Sequence, residues 1–266
     1  MTDRFDAFSD FRMDGHSVII TGGAQNIGAG IASTLAGAGA QVMIADLQGD
    51  KAQATARAIA NETAGRCMGM ACDVTKKEDI DTLVAATAEA FGGISTLINN
   101  VGWGPRHDNP TAITEQELID AYKLNTISAY RMSMACLPHL LKAKNASITN
   151  SGSFSSAVPA YDILAYGTAK AALNQMMISI AHMLAQKVRV NSVLIGTVMT
   201  EGYGEAGLDA ATQERLKHPD NLIGRTGQPR DIANAMLWLA SPAAAWVSGQ
   251  IIKVHGGGSV VRLFGD

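Results

Sequence analysis

The sequence predicts an α/β fold in one domain, a doubly wound parallel sheet of about seven strands with helices on both faces. Short apolar runs alternate with longer helical segments at intervals of about 25 to 30 residues. The first run, Ser17–Thr21, leads through a glycine-rich loop, Gly22–Gly30, into an alanine-rich helical segment. This alternation requires parallel strands joined by right-handed crossovers. Because no tandem repeat or low-complexity linker interrupts it, we expect residues 1–266 to form a single domain.

The predicted elements follow one another in a regular order. Each predicted strand is a short run with apolar or β-forming residues, too short for a helix: Ser17–Thr21, Gln41–Ala45, Arg66–Ala71, Ser95–Asn99, Ala146–Asn150, Val188–Leu194 and Gln250–Val254. The predicted helices lie between them: a segment ending at Ala38, Asp50–Thr63, Lys76–Phe91, helices within Glu115–Lys142, Ile163–Gln186, a mixed piece at Asp209–Lys217, and Asp231–Leu239. The segment Thr197–Arg225 breaks the rhythm after the sixth strand, which predicts a substrate lid over a ligand crevice.

Composition narrows the possible functions. Hydrophobic residues make up 47% and charged residues 17% of the chain, which fits a globular protein with a buried sheet. The net charge of −3 has no basic excess, so we expect neither nucleic acid nor a membrane as partner. The N-terminus lacks the apolar core of a signal peptide, and no run has the ~18 apolar residues of a membrane span, which predicts a cytoplasmic protein.

Cysteine and histidine positions argue against metal or disulfide chemistry. The three cysteines, Cys67, Cys72 and Cys136, are odd in number and lie in apolar or mixed segments. The six histidines are scattered without a helical pair at four-residue spacing. We therefore expect no disulfide framework and no metal site.

The glycine loop is typical of a dinucleotide-binding site. A loop between a strand and a helix N-terminus lets backbone N–H groups approach a phosphate closely, although such loops also serve as plain turns. Asp46 ends the second strand, where a carboxylate accepts hydrogen bonds from a ribose diol and repels a 2′-phosphate. No cation lies in the loop or directly after Asp46, and the nearest, Lys51, falls in the next helix. These features predict NAD as the cofactor in preference to NADP.

Two further polar positions follow strands on the same edge. Asp73 comes after the third strand, where its carboxylate could contact the adenine amino group, cap the following helix, or do both. Asn99–Gly102 closes the fourth strand, where its side-chain amides and its glycine could fix the floor of the crevice or merely form a turn.

A tyrosine and a lysine four residues apart are the candidate reacting groups. In a helix, Tyr166 and Lys170 would lie on one face about one turn apart. A free tyrosine has a pKa of roughly 10, and a neighbouring ammonium is one of the few side chains that can lower it towards neutrality. By itself the spacing also occurs on many exposed helical turns, so the other motifs decide its meaning.

Taken together, these motifs resemble the short-chain dehydrogenase/reductase family over about Asp14–Gly258. Thr21–Gly28 is similar to the family's glycine loop, and Asn99–Gly102 to its Asn-Asn-Ala-Gly motif. Ser153 stands 13 residues before Tyr166, as the family's catalytic serine does. The resemblance implies a Rossmann-type fold, a nicotinamide cofactor and a homotetramer.

The sequence departs from the family pattern at two places. Asn26 replaces the middle glycine of the loop; because asparagine tolerates positive φ, the turn can survive while the approach to the pyrophosphate changes. Ile195–Gly196 replaces the usual Pro-Gly after the sixth strand.

The resemblance also assigns roles to residues. Asn125, Ser153, Tyr166 and Lys170 would be catalytic, with Tyr166 transferring the substrate proton, Ser153 binding the carbonyl oxygen, Lys170 holding the nicotinamide ribose, and Asn125 positioning a water. The cofactor-binding residues would be Gly22, Asn26, Ile27, Gly28, Asp46, Leu47, Asp73, Val74, Asn100, Tyr166, Lys170, Val198 and Thr200.

The implied activity is hydride transfer between the nicotinamide and a secondary alcohol or ketone. The C-terminal run Gly227–Ala235 and Ser241–Gly258 is similar to bacterial 7α-hydroxysteroid dehydrogenases, which makes a hydroxysteroid the first candidate. Apolar residues expected near the crevice favour an apolar substrate: Trp103, Phe154, Val158, Met199 and Tyr203. The alternatives are a reductase of a β-ketoacyl thioester, sugar or polyol, or a non-catalytic NAD-binding regulator. The apolar tail Ser259–Phe264 is consistent with an interface in the homotetramer.

Overall fold

The computed structural model describes residues 6, 8–63, 65–107, 109–200, 214, 216 and 221–257. Its seven strands form one parallel sheet: β1 Ser17–Thr21, β2 Gln41–Asp46, β3 Cys67–Ala71, β4 Thr96–Asn99, β5 Ser147–Ser153, β6 Arg189–Ile195 and β7 Ile251–Val254. The helices that matter for the site and the core are α1 Asn26–Gly37, α2 Gly49–Thr63, α3 Lys77–Phe91, α4 Glu115–Tyr122, α5 Ser128–Leu140, α6 Leu164–Met183 and α7 Pro229–Ala240.

The strand order is β3-β2-β1-β4-β5-β6-β7. The chain adds strands outward in one direction from β1 to β3, crosses over, and then adds strands in the other direction from β4 to β7. The reversal lies between β1 and β4, so the loops after these two strands diverge and leave a crevice at their carboxyl ends. The doubly wound parallel sheet predicted from the sequence is therefore confirmed.

Two apolar clusters cover the two faces of the sheet. In β1, Val18 and Ile20 belong to the cluster under α1, α2 and α7, whereas Ile19 belongs to the cluster under α3, α5 and α6. Successive side chains of a strand point to opposite faces, so a strand with helices on both sides is buried along both faces and is mainly apolar. This explains why all five residues of β1 are buried.

The predicted elements are present in the described residues with bounds shifted by up to three residues, and two of the differences bear on the site. β5 continues to Ser153, where the sequence predicted an end at Asn150. Pairing with β6 carries it onward, since Gly152 and Ser153 lie opposite Leu194 and Ile195. The helical stretch predicted within Glu115–Lys142 is divided by a π-helical segment, Lys123–Ile127.

Several predictions fall outside the described residues. These are the mixed helical piece at Asp209–Lys217, the tail Ser259–Phe264, and most of the predicted lid within Thr197–Arg225. All three cysteines are described and carry free thiols. Among the described helices, none combines the length and the apolar character needed to cross a membrane.

We predict that Gly69→Ala destabilises the fold because α2 packs directly on β3. A Cβ at Gly69 would lie 2.3 Å from the backbone carbonyl of Ala52 and 2.4 Å from the nitrogen of Gln53. Backbone cannot move aside as a flexible side chain can, so unfolding free energy should fall by about 1–3 kcal/mol, measured by guanidinium denaturation.

Gly37→Ala is the matched control for Gly69→Ala. Its Cβ would meet only Thr63 Cγ2 at 3.9 Å, at the end of α1. Alanine should there be neutral or stabilise by up to about 1 kcal/mol. Equal effects of the two substitutions would contradict the close packing of α2 on β3.

Candidate active site

A cleft of about 720 Å³ opens at the carboxyl ends of the strands. It brings together all the residues predicted to bind the cofactor or to catalyse, except Asn125. Its walls include Gly22, Asn26, Ile27, Gly28, Asp46, Leu47, Asp73, Val74, Asn100, Ser153, Tyr166, Lys170, Val198 and Thr200. Residues far apart in the sequence thus converge where the two halves of the sheet diverge.

The glycine loop turns tightly between β1 and α1. Gly22 has φ +64° and Asn26, the first residue of α1, has φ +53°, a conformation that asparagine tolerates better than most residues. A Cβ at Gly28 would lie 2.0 Å from the carbonyl oxygen of Gly22 and 2.8 Å from Asn100 Nδ2. Position 28 therefore admits only glycine, and the loop lies directly against the residues that follow β4.

Asp46 ends β2 beside this loop. Its Oδ2 accepts a hydrogen bond of 3.1 Å from the backbone N–H of Ala24, and its Oδ1 one of 3.0 Å from Gln48. The backbone thus holds the carboxylate at the cleft wall. Lys51 lies in α2 as predicted, but its ammonium contacts Gln25 Oε1 in the glycine loop. The sequence analysis did not predict this contact. The position of Lys51 in the first turn of α2 could have indicated that it lies near the glycine loop.

Asp73 lines the cleft but does not cap α3. Its Oδ1 accepts hydrogen bonds from the backbone N–H of Thr75 at 3.0 Å and from Thr75 Oγ1 at 2.7 Å. These bonds lower the pKa of Asp73 below its usual value. Lys76 occupies the N-cap position of α3. The helix-cap alternative for Asp73 is therefore wrong, because its side chain closes the turn that precedes the helix.

The amides after β4 fix the floor of the cleft. Asn99 Nδ2 donates to Asn150 Oδ1 at 2.9 Å, which links β4 to β5. Asn100 Nδ2 donates to the carbonyl of Gly22 at 2.9 Å, while its Oδ1 accepts from Ser151 Oγ at 2.9 Å. The segment Asn99–Gly102 is therefore more than a turn, since its side chains join the glycine loop to the neighbouring strand.

Tyr166 and Lys170 lie on one face of α6, as the spacing predicts. Lys170 Nζ is 5.7 Å from the centroid of the Tyr166 ring. The ammonium is buried and donates to the carbonyl oxygens of Val101 at 3.1 Å and Ser151 at 2.9 Å. Burial lowers the pKa of Lys170 to about 7. Its charge therefore responds to small changes in its surroundings near neutral pH.

Ser153 ends β5 and faces the same cleft. Its hydroxyl shares a 2.8 Å hydrogen bond with Ser155 Oγ and accepts one of 3.3 Å from Ser155 N–H. The other nearby serines are engaged elsewhere: Ser151 donates to a side-chain amide, and Ser156 donates to the carbonyl of Ser153. Ser155 also lines the cleft, and sequence spacing alone did not reveal its bond to Ser153.

Asn125 lies behind the cleft within the π-helical segment. Its Oδ1 accepts from Trp103 N–H at 3.2 Å, and its Nδ2 donates to Trp103 O at 2.7 Å and Ala121 O at 2.8 Å. A Cβ on Gly102 would lie 2.7 Å from Lys170 Nζ and 3.1 Å from Asn125 Oδ1. Asn125 therefore holds the loop that covers the lysine.

Gly104, after β4, is a part of the site that sequence reasoning did not single out, whereas Gly102 belongs to the predicted segment Asn99–Gly102. A Cβ on Gly104 would lie 2.7 Å from Tyr166 Cβ, much as one on Gly102 would meet Lys170. In the sequence, the two glycines that flank Trp103 indicate that the backbone approaches another element closely there. Both allow the loop to pack directly on the paired side chains of α6.

The wall beyond Ser153 is largely apolar. Phe154, Val158, Ala160 and Ile163 line it, together with one charged residue, Arg106. Among the five apolar residues expected at the crevice, Phe154 and Val158 are thus in place.

The other three apolar residues do not contribute to the described cleft. The side chain of Trp103 is largely exposed, and Met199 is absent from the wall. The backbone N–H of Trp103 donates to the side chain of Asn125, and the backbone N–H of Met199 donates to the carbonyl of Gly227. Tyr203 lies outside the described residues.

Comparisons with known proteins agree with this arrangement. A family model described as enoyl-(acyl carrier protein) reductase matches residues 22–259. The 7α-hydroxysteroid dehydrogenase of Escherichia coli K12 is 34% identical over 250 residues, which cover 94% of this chain and 96% of that protein.

Two solved structures share the fold over nearly the whole chain. One is a 7α-hydroxysteroid dehydrogenase complexed with NADH and 7-oxo glycochenodeoxycholic acid, with a TM-score of 0.87, 33% identity and coverage of 98% and 100%. The other is an NADPH-dependent 3-quinuclidinone reductase from Rhodotorula rubra, with a TM-score of 0.85, 25% identity and coverage of 97% of each chain. Similar folds therefore serve either nicotinamide cofactor.

The buried lysine generates a prediction about stability. The pKa of Lys170 is about 7 in the fold against an ordinary value of 10.5, so between these limits the unfolded chain binds more protons. Unfolding free energy should therefore rise with pH relative to Lys170→Met, by about 1 kcal/mol per pH unit. Urea denaturation of both proteins without cofactor from pH 7 to pH 9.5 measures this difference.

The exposed Lys187 provides the control, as Lys187→Met. This variant should follow the wild-type pH dependence. A constant difference between wild type and Lys170→Met across the range would contradict the lowered pKa.

Proposed function

The chain belongs to the short-chain dehydrogenase/reductase family, and from this premise we propose that it transfers hydride between NAD and an apolar secondary alcohol or ketone. It is an oxidoreductase acting on CH–OH groups, as its relatives are. The observation that carries the proposal is the convergence of Ser153, Tyr166 and Lys170 in one cleft with the glycine loop.

The residues of the cleft fit a dinucleotide. Gly28 leaves no side chain at the N-terminus of α1, where backbone N–H groups and the helix dipole favour a pyrophosphate. Asp46 and Asp73 at the neighbouring wall offer acceptors to a ribose diol and an adenine amino group. Leu47, Val74, Asn100, Val198 and Thr200 complete the proposed contacts along the wall.

NAD is our preferred cofactor over NADP. The Asp46 carboxylate would repel a 2′-phosphate, and the backbone bonds from Ala24 and Gln48 hold it in place. Lys51 is the nearest opposing feature, and its ammonium is engaged by Gln25. The repulsion of a 2′-phosphate by the fixed Asp46 carboxylate therefore exceeds its attraction to the Lys51 ammonium, which is engaged by Gln25.

Proton transfer is assigned to Tyr166. When bound, the nicotinamide accepts or supplies the hydride. In oxidation the Tyr166 oxygen takes the hydroxyl proton of the alcohol, and in reduction it donates a proton to the carbonyl. The Lys170 ammonium beside the ring favours the phenolate, since opposite charges at short range stabilise each other. The same ammonium would also hold the ribose hydroxyls of the cofactor.

Ser153 and Asn125 have supporting roles. The Ser153 hydroxyl would donate a hydrogen bond to the substrate oxygen and favour its alkoxide-like transition state. Its partner Ser155 fixes the orientation of this hydroxyl. Asn125 would position a water that links Lys170 to solvent. Its location behind Gly102 and near Lys170 supports this role.

A hydroxysteroid is the first candidate substrate. The wall formed by Phe154, Val158, Ala160 and Ile163 offers an apolar surface suited to a flat ring system. The similarity to 7α-hydroxysteroid dehydrogenase supports the same choice. A sugar or polyol would leave this apolar wall without partners.

We also propose a homotetramer located in the cytoplasm. Trp246 is fully exposed near β7, which ends the sheet, and Leu118, Ile119 and Tyr122 expose apolar surface on α4. Apolar faces of this kind suit symmetric interfaces between subunits. The three free thiols support a reducing compartment.

Tyr166→Phe tests the proposed chemistry. The variant should lose more than nine-tenths of kcat, because phenylalanine has no proton to transfer, while NAD affinity stays within about twofold. NADH formation with a panel of secondary alcohols that includes bile acids provides the assay, with Tyr130→Phe on α5 as control. NAD binding without turnover of any compound by the wild type would favour the non-catalytic regulator instead.

Asp46→Ala tests the cofactor preference. Losing hydrogen bonds to the ribose and the repulsion of a 2′-phosphate should raise the NADP-to-NAD ratio of kcat/KM by about tenfold or more. Asp50→Ala, which removes an exposed carboxylate in the first turn of α2, should leave the ratio unchanged. An unchanged ratio in Asp46→Ala would refute the assigned ribose contact.

A further inference from the structure

Arg106 introduces a cation into the substrate end of the cleft. Among the described residues of the cleft wall, only Lys170 and Arg106 carry basic side chains, and Lys170 is buried beside Tyr166. The acidic residues of the wall, Asp46 and Asp73, lie after β2 and β3. Charge is therefore divided between the ends of the cleft, with Arg106 on the side of the apolar wall.

Two contacts fix the segment that carries Arg106 above Tyr166. Gly104 packs on Tyr166, where a Cβ would lie 2.7 Å from Tyr166 Cβ. One residue beyond Arg106, the backbone N–H of His107 donates to the carbonyl of Asp162 at 2.8 Å. Arg106 is therefore two residues from the glycine that packs on Tyr166, and it lines the same cleft.

Among the described residues, the Arg106 guanidinium pairs with a single carboxylate, that of Asp162. Arg106 Nη1 lies 2.8 Å from Asp162 Oδ2, and its side chain remains 67% exposed. In contrast, Arg225 donates two hydrogen bonds to the carboxylate of Asp231, at 2.6 Å and 2.8 Å. A single exposed ion pair contributes little stability, and a guanidinium has five N–H donors. Arg106 can therefore bind a second anion or exchange Asp162 for it.

We propose that Arg106 binds an anionic group, such as a carboxylate, at the end of the substrate remote from its reacting carbon. The substrate is then an acid with an apolar body that lies along Phe154 and Val158. This assignment rests on the proposed function and adds a substrate class to it. A planar guanidinium suits a carboxylate because two parallel N–H donors match its two oxygens.

The test compares an acid with its uncharged ester. Reduction of 7-oxo glycochenodeoxycholic acid and of its methyl ester with NADH is measured as kcat/KM for wild type, Arg106→Gln, Asp162→Asn and Arg12→Gln. Wild type should prefer the acid by about tenfold, and Arg106→Gln should bring the ratio close to one while ester turnover changes by less than about twofold.

The two remaining variants control for structural damage and for competition. Asp162→Asn removes the competing carboxylate but keeps the backbone carbonyl that His107 contacts, so the ratio of acid to ester should rise about threefold. Arg12→Gln removes an exposed arginine that pairs with Asp14 outside the cleft wall, and it should leave the ratio unchanged. An unchanged KM for NADH in Arg106→Gln would exclude the cofactor phosphates as the anion that Arg106 binds.

The outcomes separate the two proposals. Turnover by wild type with an equal preference for acid and ester, or an acid preference that survives in Arg106→Gln, overturns the anion site alone. A raised KM for NADH in Arg106→Gln with an unchanged acid-to-ester ratio also overturns it. Failure of wild type to reduce acid or ester, and to oxidise any alcohol of the panel, overturns the proposed function and the anion site with it.

Discussion

The burial of the Lys170 ammonium is the constraint on which the rest of the site depends. A buried charge is costly unless polar groups surround it, and here the carbonyls of Val101 and Ser151 do so. The first carbonyl belongs to the segment that follows β4 and the second to β5, and these two strands are parallel neighbours with Asn99 opposite Asn150. The sheet topology and the position of α6 are therefore coupled through one side chain.

The burial of Lys170 also explains why two glycines and the Asn125 amide lie around it. A side chain at Gly102 would collide with the ammonium, and one at Gly104 would collide with Tyr166. Asn125 fixes the backbone between these glycines from behind. The loop after β4 therefore has glycine at the positions where it touches α6. It can pack closely on the phenol and the ammonium, which lie near each other.

Much of the fold and the site could be predicted because local pattern determines them. The apolar runs of buried strands, the four-residue spacing of Tyr166 and Lys170, and the positive φ of Asn26 all follow from nearby residues. Features set by distant partners could not be predicted. The last residues of β5 are polar and are held in the strand by β6, and the ion pair of Arg106 with Asp162 joins two loops.

This division has a consequence for specificity. The groups assigned to proton and hydride transfer stand on strand ends and on α6, where packing and backbone hydrogen bonds leave them little freedom. Other residues that line the cleft, Arg106 and Phe154 among them, stand on connections between strands and helices. Connections tolerate change at small cost to the core. Relatives with different substrates can therefore keep one reaction centre and exchange the charge and the shape of the loops around it. Motifs in the sequence indicate the reaction class, whereas the pairing of Arg106 with Asp162 is visible only in the three-dimensional contacts.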